Sequence, residues 1–342
     1  MANILILGAG SMGTAFSFPC SDNGHSVSVV GTHLENDFID LINSNKKHPG
    51  LNCEIPKNVT FSKFKNLGEE INKKIDLVVV AVISKGIEWA SVELSKVIKN
   101  NAPILILTKG LSINNNNYEV LAHKMERLLK KNGIKETNIS GAGGPCLAKE
   151  LANKAHTSVV FANNDIKVAK EISKLVSTDY YHVYTSNDVV GVETCAAIKN
   201  IFSMAVGASQ GLCNSVKSKE KNYLNTAAAL IQESIYEMIT FVEKLKGKKE
   251  TVIGLAGIGD LYVSADGGRN SKMGEYLGQG MKFQEAKKIK MPNITVEGAD
   301  LALEIGPKVK KDFDNKTLPL MISMIDTICE EKPLKVDWKN FK

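Results

Sequence analysis

Three hundred and forty-two residues exceed what one ordinary hydrophobic core needs and suit two domains, each with its own apolar centre. With 43% hydrophobic and 23% charged residues the composition is that of a globular protein, and the longest unbroken apolar run, residues 77–83, falls far short of the ~20 that cross a bilayer, so a cytoplasmic chain without a membrane span is expected. The net charge of +6 includes lysine clusters at 244–249, 287–290 and 308–311 with no interleaved aromatics, a pattern of solvated surface and not of a nucleic-acid footprint.

Residues 3–7 read as a short apolar strand without the basic flank of a signal peptide, and the strand runs directly into Gly8-Ala9-Gly10-Ser11-Met12-Gly13. A GxGxxG that follows a strand, opens a helix and precedes a second strand, here residues 27–30, is a dinucleotide-binding signal. Gly8 permits the tight turn, Gly10 lets the backbone approach a pyrophosphate, and Gly13 lets helix pack on strand. The helix start, with Ser11 and Met12, supplies N–H donors to the phosphate. Pro19 lies inside that helix, where it is expected to kink or end it. After the second strand, Gly31-Thr32-His33-Leu34-Glu35 has neither an acid nor a base in the usual ribose-reading place. Thr32 and His33 are the candidates there, Glu35 is within reach, and the choice between NAD and NADP stays open.

The segment 36–56 is an insertion of no predicted structure. Strand and helix then alternate: a buried strand at 76–82, a helix at 87–99 and a strand at 103–107. Thr108-Lys109-Gly110-Leu111 follows that strand, and in an open α/β sheet ligands sit just outside the carboxyl ends of strands, which makes Lys109 a site candidate. A helix at 118–131 and a strand at 138–141 lead to Gly143-Gly144-Pro145-Cys146-Leu147-Ala148-Lys149-Glu150, a second turn able to present N–H groups to an anion. Strands at 156–162 and 180–184, with a helix capped by Asp165 between them, complete a mainly parallel sheet. The domain boundary is expected near 186–188, giving a Rossmann-type α/β domain over 1–187 and an all-α domain over 188–342.

The second half shows helices at 188–211, 222–246, 271–278, 296–305 and 318–331 and no strand pattern. Within the first, Gly191 to Leu212 is a mainly apolar run with one lysine, Lys199, which shares a face with Val192, Cys195, Ala196, Phe202, Ser203 and Val206. An ammonium there must be paired, reach a rim or cleft, or give up its proton through a lowered pKa. Two glycine-rich stretches read as turns, residues 254–261 with Asp260 and residues 267–270 with Gly268, Arg269 and Asn270. Arg127 and Arg269 are the only arginines, so Arg269 marks a place that needs a planar bidentate donor. Six cysteines (20, 53, 146, 195, 213 and 329) have no CxxC spacing and no histidine at ligand spacing, and read as reduced, with no metal site.

GAGSMGTA, TKGL, GGPCLAKE, GVETCAAIKN, NTAAALIQESIYEM, GLAGIGDL, GGRN with GEYLGQG, and TVEG occur in this order over residues 4–300. Together they resemble the NAD(P)-dependent glycerol-3-phosphate dehydrogenases. The resemblance implies a cytosolic, homodimeric oxidoreductase of dihydroxyacetone phosphate and glycerol 3-phosphate that feeds glycerophospholipid synthesis. It implies Lys199 as acid/base with Asp260 in its cluster, Lys109 touching cofactor and substrate and standing as the alternative proton donor, and Gly268, Arg269 and Asn270 at the substrate phosphate, Arg269 also at the cofactor edge. Gly144 and Cys146 would line the substrate pocket, with Ala148, Thr295 and Glu297 on the cofactor. The family usually has a hydroxyl or other small residue where Cys146 stands, which weakens a substrate hydrogen bond at that point. A sister β-hydroxyacid dehydrogenase shares the Rossmann domain and the lysine, but lacks the GLAGIGDL and GGRN pieces. A non-catalytic nucleotide-binding module would have no need of both lysines, Asp260 and Arg269.

Overall fold

The computed structural model describes residues 1–51, 53–71, 74–98, 102–213 and 223–342. It divides into two compact units, residues 1–109 with 120–192, and residues 110–119 with 193–342.

The first unit opens with β1 (Asn3–Leu7), α1 (Ser11–Asp22) and β2 (Ser26–Val30). The insertion then forms α2 (Asn36–Asn45) and a small hairpin of β3 (Lys47–His48) and β4 (Cys53–Glu54), followed by β5 (Val59–Ser62) and α3 (Leu67–Ile71). Next come β6 (Leu77–Val80), α4 (Ile87–Val97) and β7 (Ile104–Ile106). A second hairpin, β8 (Leu111–Asn114) and β9 (Asn117–Val120), precedes α5 (Leu121–Lys131), β10 (Ile139–Gly143), α6 (Ala148–Ala152), β11 (Thr157–Ala162), α7 (Ile166–Val176) and β12 (Tyr181–Ser186). Among the described residues these build an eight-stranded sheet in the order β12-β11-β10-β7-β6-β1-β2-β5, parallel throughout except for the antiparallel pair β10 and β11. Leu77–Val80 is buried along its whole length, which is why a sheet covered on both faces reads as a continuous LVVV and not as an alternation. From central β1 the chain goes out to β2 and returns to β6 on the other side, and that reversal is where α/β sheets take their ligands.

Four expectations change here. Helix α1 does not stop at Pro19 but continues to Asp22. Residues 13–21 are buried against the rest of the unit, and that packing outweighs the ~3 kcal/mol proline cost. Residues 118–120, expected as helix, are the second strand of a hairpin turned at Asn115 and Asn116, both with positive φ (47° and 60°). The insertion is folded, and it leads into an edge strand, β5, that sequence patterning missed. Helix α4 ends at Val97, and Lys99 lies outside the described residues. The Asp165 cap is present, its carboxylate accepting the Lys167 N–H at 2.9 Å.

Past residue 188 the described chain is helical: α8 (Val189–Cys213), α9 (Leu224–Lys244), α10 (Lys249–Val252), α11 (Asp260–Ala265), α12 (Arg269–Gly278), α13 (Phe283–Ile289), α14 (Glu297–Asp312) and α15 (Pro319–Cys329). The expected start of α9 at residue 222 falls outside the described residues. Helix α14 runs through Pro307 instead of ending at 305, because the Leu303 carbonyl that Pro307 deprives of its helical donor lies on the exposed side of the helix, where water can serve. By length and composition α8 can cross a membrane, yet 94% of its apolar window is buried inside the fold, as in a core helix. Its seam with α12 is made of glycines: a carbon added at Gly207 or Gly211 of α8 would collide with the backbone of Ser271 or Glu275. One added at Gly274 or Gly278 of α12 would collide with that of Met204 or Ala208. Two glycines four residues apart on each helix thus bring backbone against backbone.

Candidate active site

At the end of β1 the three motif glycines have separate duties. Gly8 adopts φ +114° and donates its N–H to the Val30 carbonyl at 2.8 Å, tying the turn to the end of β2. A side chain at Gly13 would strike the Gly8 carbonyl, so its absence lets α1 approach the strand. A carbon added at Gly10 would meet no atom within 4 Å. Gly10 is also the N-cap of α1, with no side chain capping the helix, which leaves the first N–H groups for a phosphate. Ser11 is exposed and Met12 half-buried beside that opening. These residues fit a dinucleotide pyrophosphate.

The candidates after β2 take unexpected places. Thr32 gives its backbone N–H to Glu35 Oε2 at 2.6 Å, and the same oxygen accepts the Ala9 N–H at 3.2 Å. His33 is exposed, with its ring 5.1 Å from that of Trp89. The insertion packs over the glycine loop: a carbon added at Gly50 would sit 3.1 Å from Ser11 Oγ. Buried His48 organises this hairpin by accepting the N–H groups of Gly50 and Leu51 on Nδ1 at 3.0 and 3.1 Å, and burial holds its pKa below the ordinary imidazole value.

Lys109 leaves the end of β7 beside Thr108, whose hydroxyl donates to the Val82 carbonyl at 2.6 Å. Its ammonium donates to the Gly144 carbonyl at 3.3 Å, so the TKGL and GGPC turns, which follow neighbouring parallel strands, are linked. Gly144 has φ +104°. Cys146 is half-buried and packs against the core of the unit, and Ala148 is the first residue of α6.

In the helical unit, Lys199 is buried on α8 and its ammonium donates to Asp260 Oδ1 at 2.6 Å and to Ser264 Oγ. The side chains of the pair are 6% and 2% exposed, so of the three ways of tolerating this charge the fold uses pairing. The GLAGIGDL stretch is no open turn: residues 255–259 form a π-helical turn that feeds α11, and Asp260 and Ser264, four residues apart, present one helical face to the lysine.

Asn200, the next residue on α8, accepts from Asn270 Nδ2 at 3.0 Å, while Asn270 Oδ1 accepts the Gly298 N–H at 2.9 Å. Asn270 is buried and therefore spans α8, α12 and the start of α14. Gly268 is the N-cap of α12, and Arg269 beside it reaches Glu297 at 3.0 Å in an exposed ion pair. Such a pair is worth about 0–1 kcal/mol, so an anion can draw the guanidinium away. Thr295 is exposed just ahead of α14. Sequence reasoning did not single out Ser264 or Asn200. The spacing of four from Asp260 was the available signal for Ser264, and adjacency to Lys199 that for Asn200.

Residues 3–169 match the family described as NAD-dependent glycerol-3-phosphate dehydrogenase N-terminus, and residues 188–337 its C-terminus. The chain is 30% identical over 314 residues, 90% of its length and 91% of the relative's, to an NADP(+)-dependent glycerol-3-phosphate dehydrogenase of Archaeoglobus fulgidus. It is 31% identical over 329 residues, 94% and 91% of the two chains, to an NAD(P)+ glycerol-3-phosphate dehydrogenase of Francisella tularensis. The crystal structure of glycerol-3-phosphate dehydrogenase from Coxiella burnetii superposes with a TM-score of 0.81 at 25% identity, covering 97% of this chain and 96% of that one.

Proposed function

Because the chain belongs to the NAD-dependent glycerol-3-phosphate dehydrogenase family, an oxidoreductase family using NAD or NADP, we propose that it reduces dihydroxyacetone phosphate to glycerol 3-phosphate and that Lys199 supplies the proton. The observation that carries this reading is the buried Lys199–Asp260 pair.

The dinucleotide, when bound, supplies the hydride. Gly8, Gly10 and Gly13 hold its pyrophosphate at the start of α1. The ketone oxygen gains negative charge as C2 is reduced, and the Lys199 ammonium, aimed by Asp260 and Ser264, offers it a preorganised positive charge and then a proton. Asp260 fixes the direction of the lysine. Arg269 leaves Glu297 for the substrate phosphate, where a bidentate guanidinium outcompetes an exposed carboxylate pair. Binding at that remote group orients C2 without touching the reacting bond.

On this reading the enzyme works in the cytoplasm as a homodimer and provides glycerol 3-phosphate for glycerophospholipid synthesis, a role supported by the family relationship. The test is the loss of NADH and NADPH absorbance on adding dihydroxyacetone phosphate to the purified chain. Lys199→Ala is expected to cost about 10³-fold or more in turnover while the dinucleotide still binds. Near-normal turnover in that variant, or no oxidation of either cofactor by the wild type, overturns the reading.

A further inference from the structure

NAD and NADP differ at the 2′ position of the adenosine ribose, a hydroxyl in one and a phosphate in the other, and Rossmann folds meet that position at the end of the second strand. Here β2 ends at Val30, and Glu35 lies beyond the place where a ribose-reading acid usually stands. Its side chain nevertheless folds back, with Oε2 accepting the N–H groups of Thr32 and Ala9 at 2.6 and 3.2 Å. Ala9 stands between Gly8 and Gly10, so the carboxylate sits where the phosphate loop meets the end of β2. Among the described residues, Oε1 of Glu35 accepts no hydrogen bond.

Among the described residues no arginine is bonded to Thr32, His33 or Glu35. Glu70 takes the Ser62 hydroxyl at 3.3 Å at the end of β5, the strand paired with β2. No arginine precedes Arg127, and Lys63 is engaged with Asp40 at 2.6 Å. Leu34 and Ile83 are 81% and 70% exposed just past β2 and β6, the strands flanking β1, and offer apolar surface suited to an adenine face. A ribose hydroxyl can donate to the open carboxylate oxygen. A 2′-phosphate would bring about two negative charges against it.

We propose that this chain selects NAD(H) over NADP(H), and that Glu35 is the residue that accepts the 2′-hydroxyl and repels the 2′-phosphate. The inference rests on the dinucleotide reading above, and it separates this chain from the Archaeoglobus relative named for NADP.

The test is direct binding: fluorescence titration of the full chain with NADH and with NADPH in the absence of substrate, followed by kcat/KM for both with dihydroxyacetone phosphate. NADH is expected to bind at least about tenfold more tightly. Glu35→Gln keeps an oxygen for the two N–H groups and removes the charge, and should narrow that ratio about tenfold. His33→Arg places a guanidinium beside the same ribose and should narrow it independently, should the first variant not fold. Equal binding of the two cofactors, or a ratio unmoved in both variants, overturns the proposal. Selective NADH binding without ketone turnover upholds it and defeats only the substrate assignment.

Discussion

Lys199 and Asp260 form a buried pair whose mutual attraction is offset by the hydration that both charges lose. Each charge loses several kcal/mol of hydration on burial, and two apolar side chains of the same volume would leave the helices as stable or more so. A fixed ammonium at this place is what the proposed proton transfer requires. Arg269 is the opposite case, exposed and paired only at the surface. Arg269→Lys is therefore expected to raise KM for dihydroxyacetone phosphate about 10- to 100-fold with a negligible change in thermal stability. Steady-state kinetics beside a melting curve checks it, and a melting shift without a KM change would remove Arg269 from the phosphate site. Lys199 was visible in the sequence because a lone cation in an apolar run is conspicuous, and Asp260 because it stood in a family motif. Ser264 and Asn200 were not, and Glu35 was visible only as a residue within reach of the ribose, since each gains its meaning from a partner that only the fold supplies.

At the scale of elements, glycines separate architecture from binding. Gly207→Ala would drive a methyl into the Ser271 backbone and should lower stability by about 1–3 kcal/mol or prevent folding, whereas Gly10→Ala meets open space and should melt normally yet bind NADH weakly. Thermal unfolding and cofactor titration of the two variants read the two effects separately. Normal cofactor affinity in Gly10→Ala would mean that the phosphate does not approach there. The strands of the large sheet other than edge strand β5 were legible because they are short runs bounded by turn residues. The β8–β9 hairpin was not, because its Asn115-Asn116 turn sits in a run of four asparagines, where no single pair stands out. Pro19 misled because proline penalises a helix locally and tertiary packing can meet that penalty, and at Pro307 in α14 solvent plays the same part.

For the whole molecule, stability should carry a pH dependence traceable to one side chain. Glu237 is buried on α9, and its carboxylate accepts the N–H groups of Leu320 and Met321 at 2.5 and 2.8 Å, fastening the start of α15. Burial pushes its pKa up to about 8, although those two N–H groups pull it back. Between its ordinary value of 4.5 and about 8 the folded chain holds a proton that the unfolded chain has lost, so stability falls as pH rises through that window. Melting temperatures measured from pH 7 to 8.5, above the range in which His48 titrates, should decline in the wild type and flatten in Glu237→Gln. An equal slope in both would assign the dependence elsewhere. The β8–β9 hairpin has a further consequence for how the chain is made. Residues 110–119 belong to the helical unit, with β8 packed on α14, Tyr118 against Phe241 at 5.2 Å and Lys308 over the Tyr118 ring. During synthesis this hairpin leaves the ribosome long before α9 and α14 exist. The nascent α/β unit must therefore carry Leu111 and Tyr118 undocked until α9 and then α14 emerge, and during that interval they are open to wrong contacts.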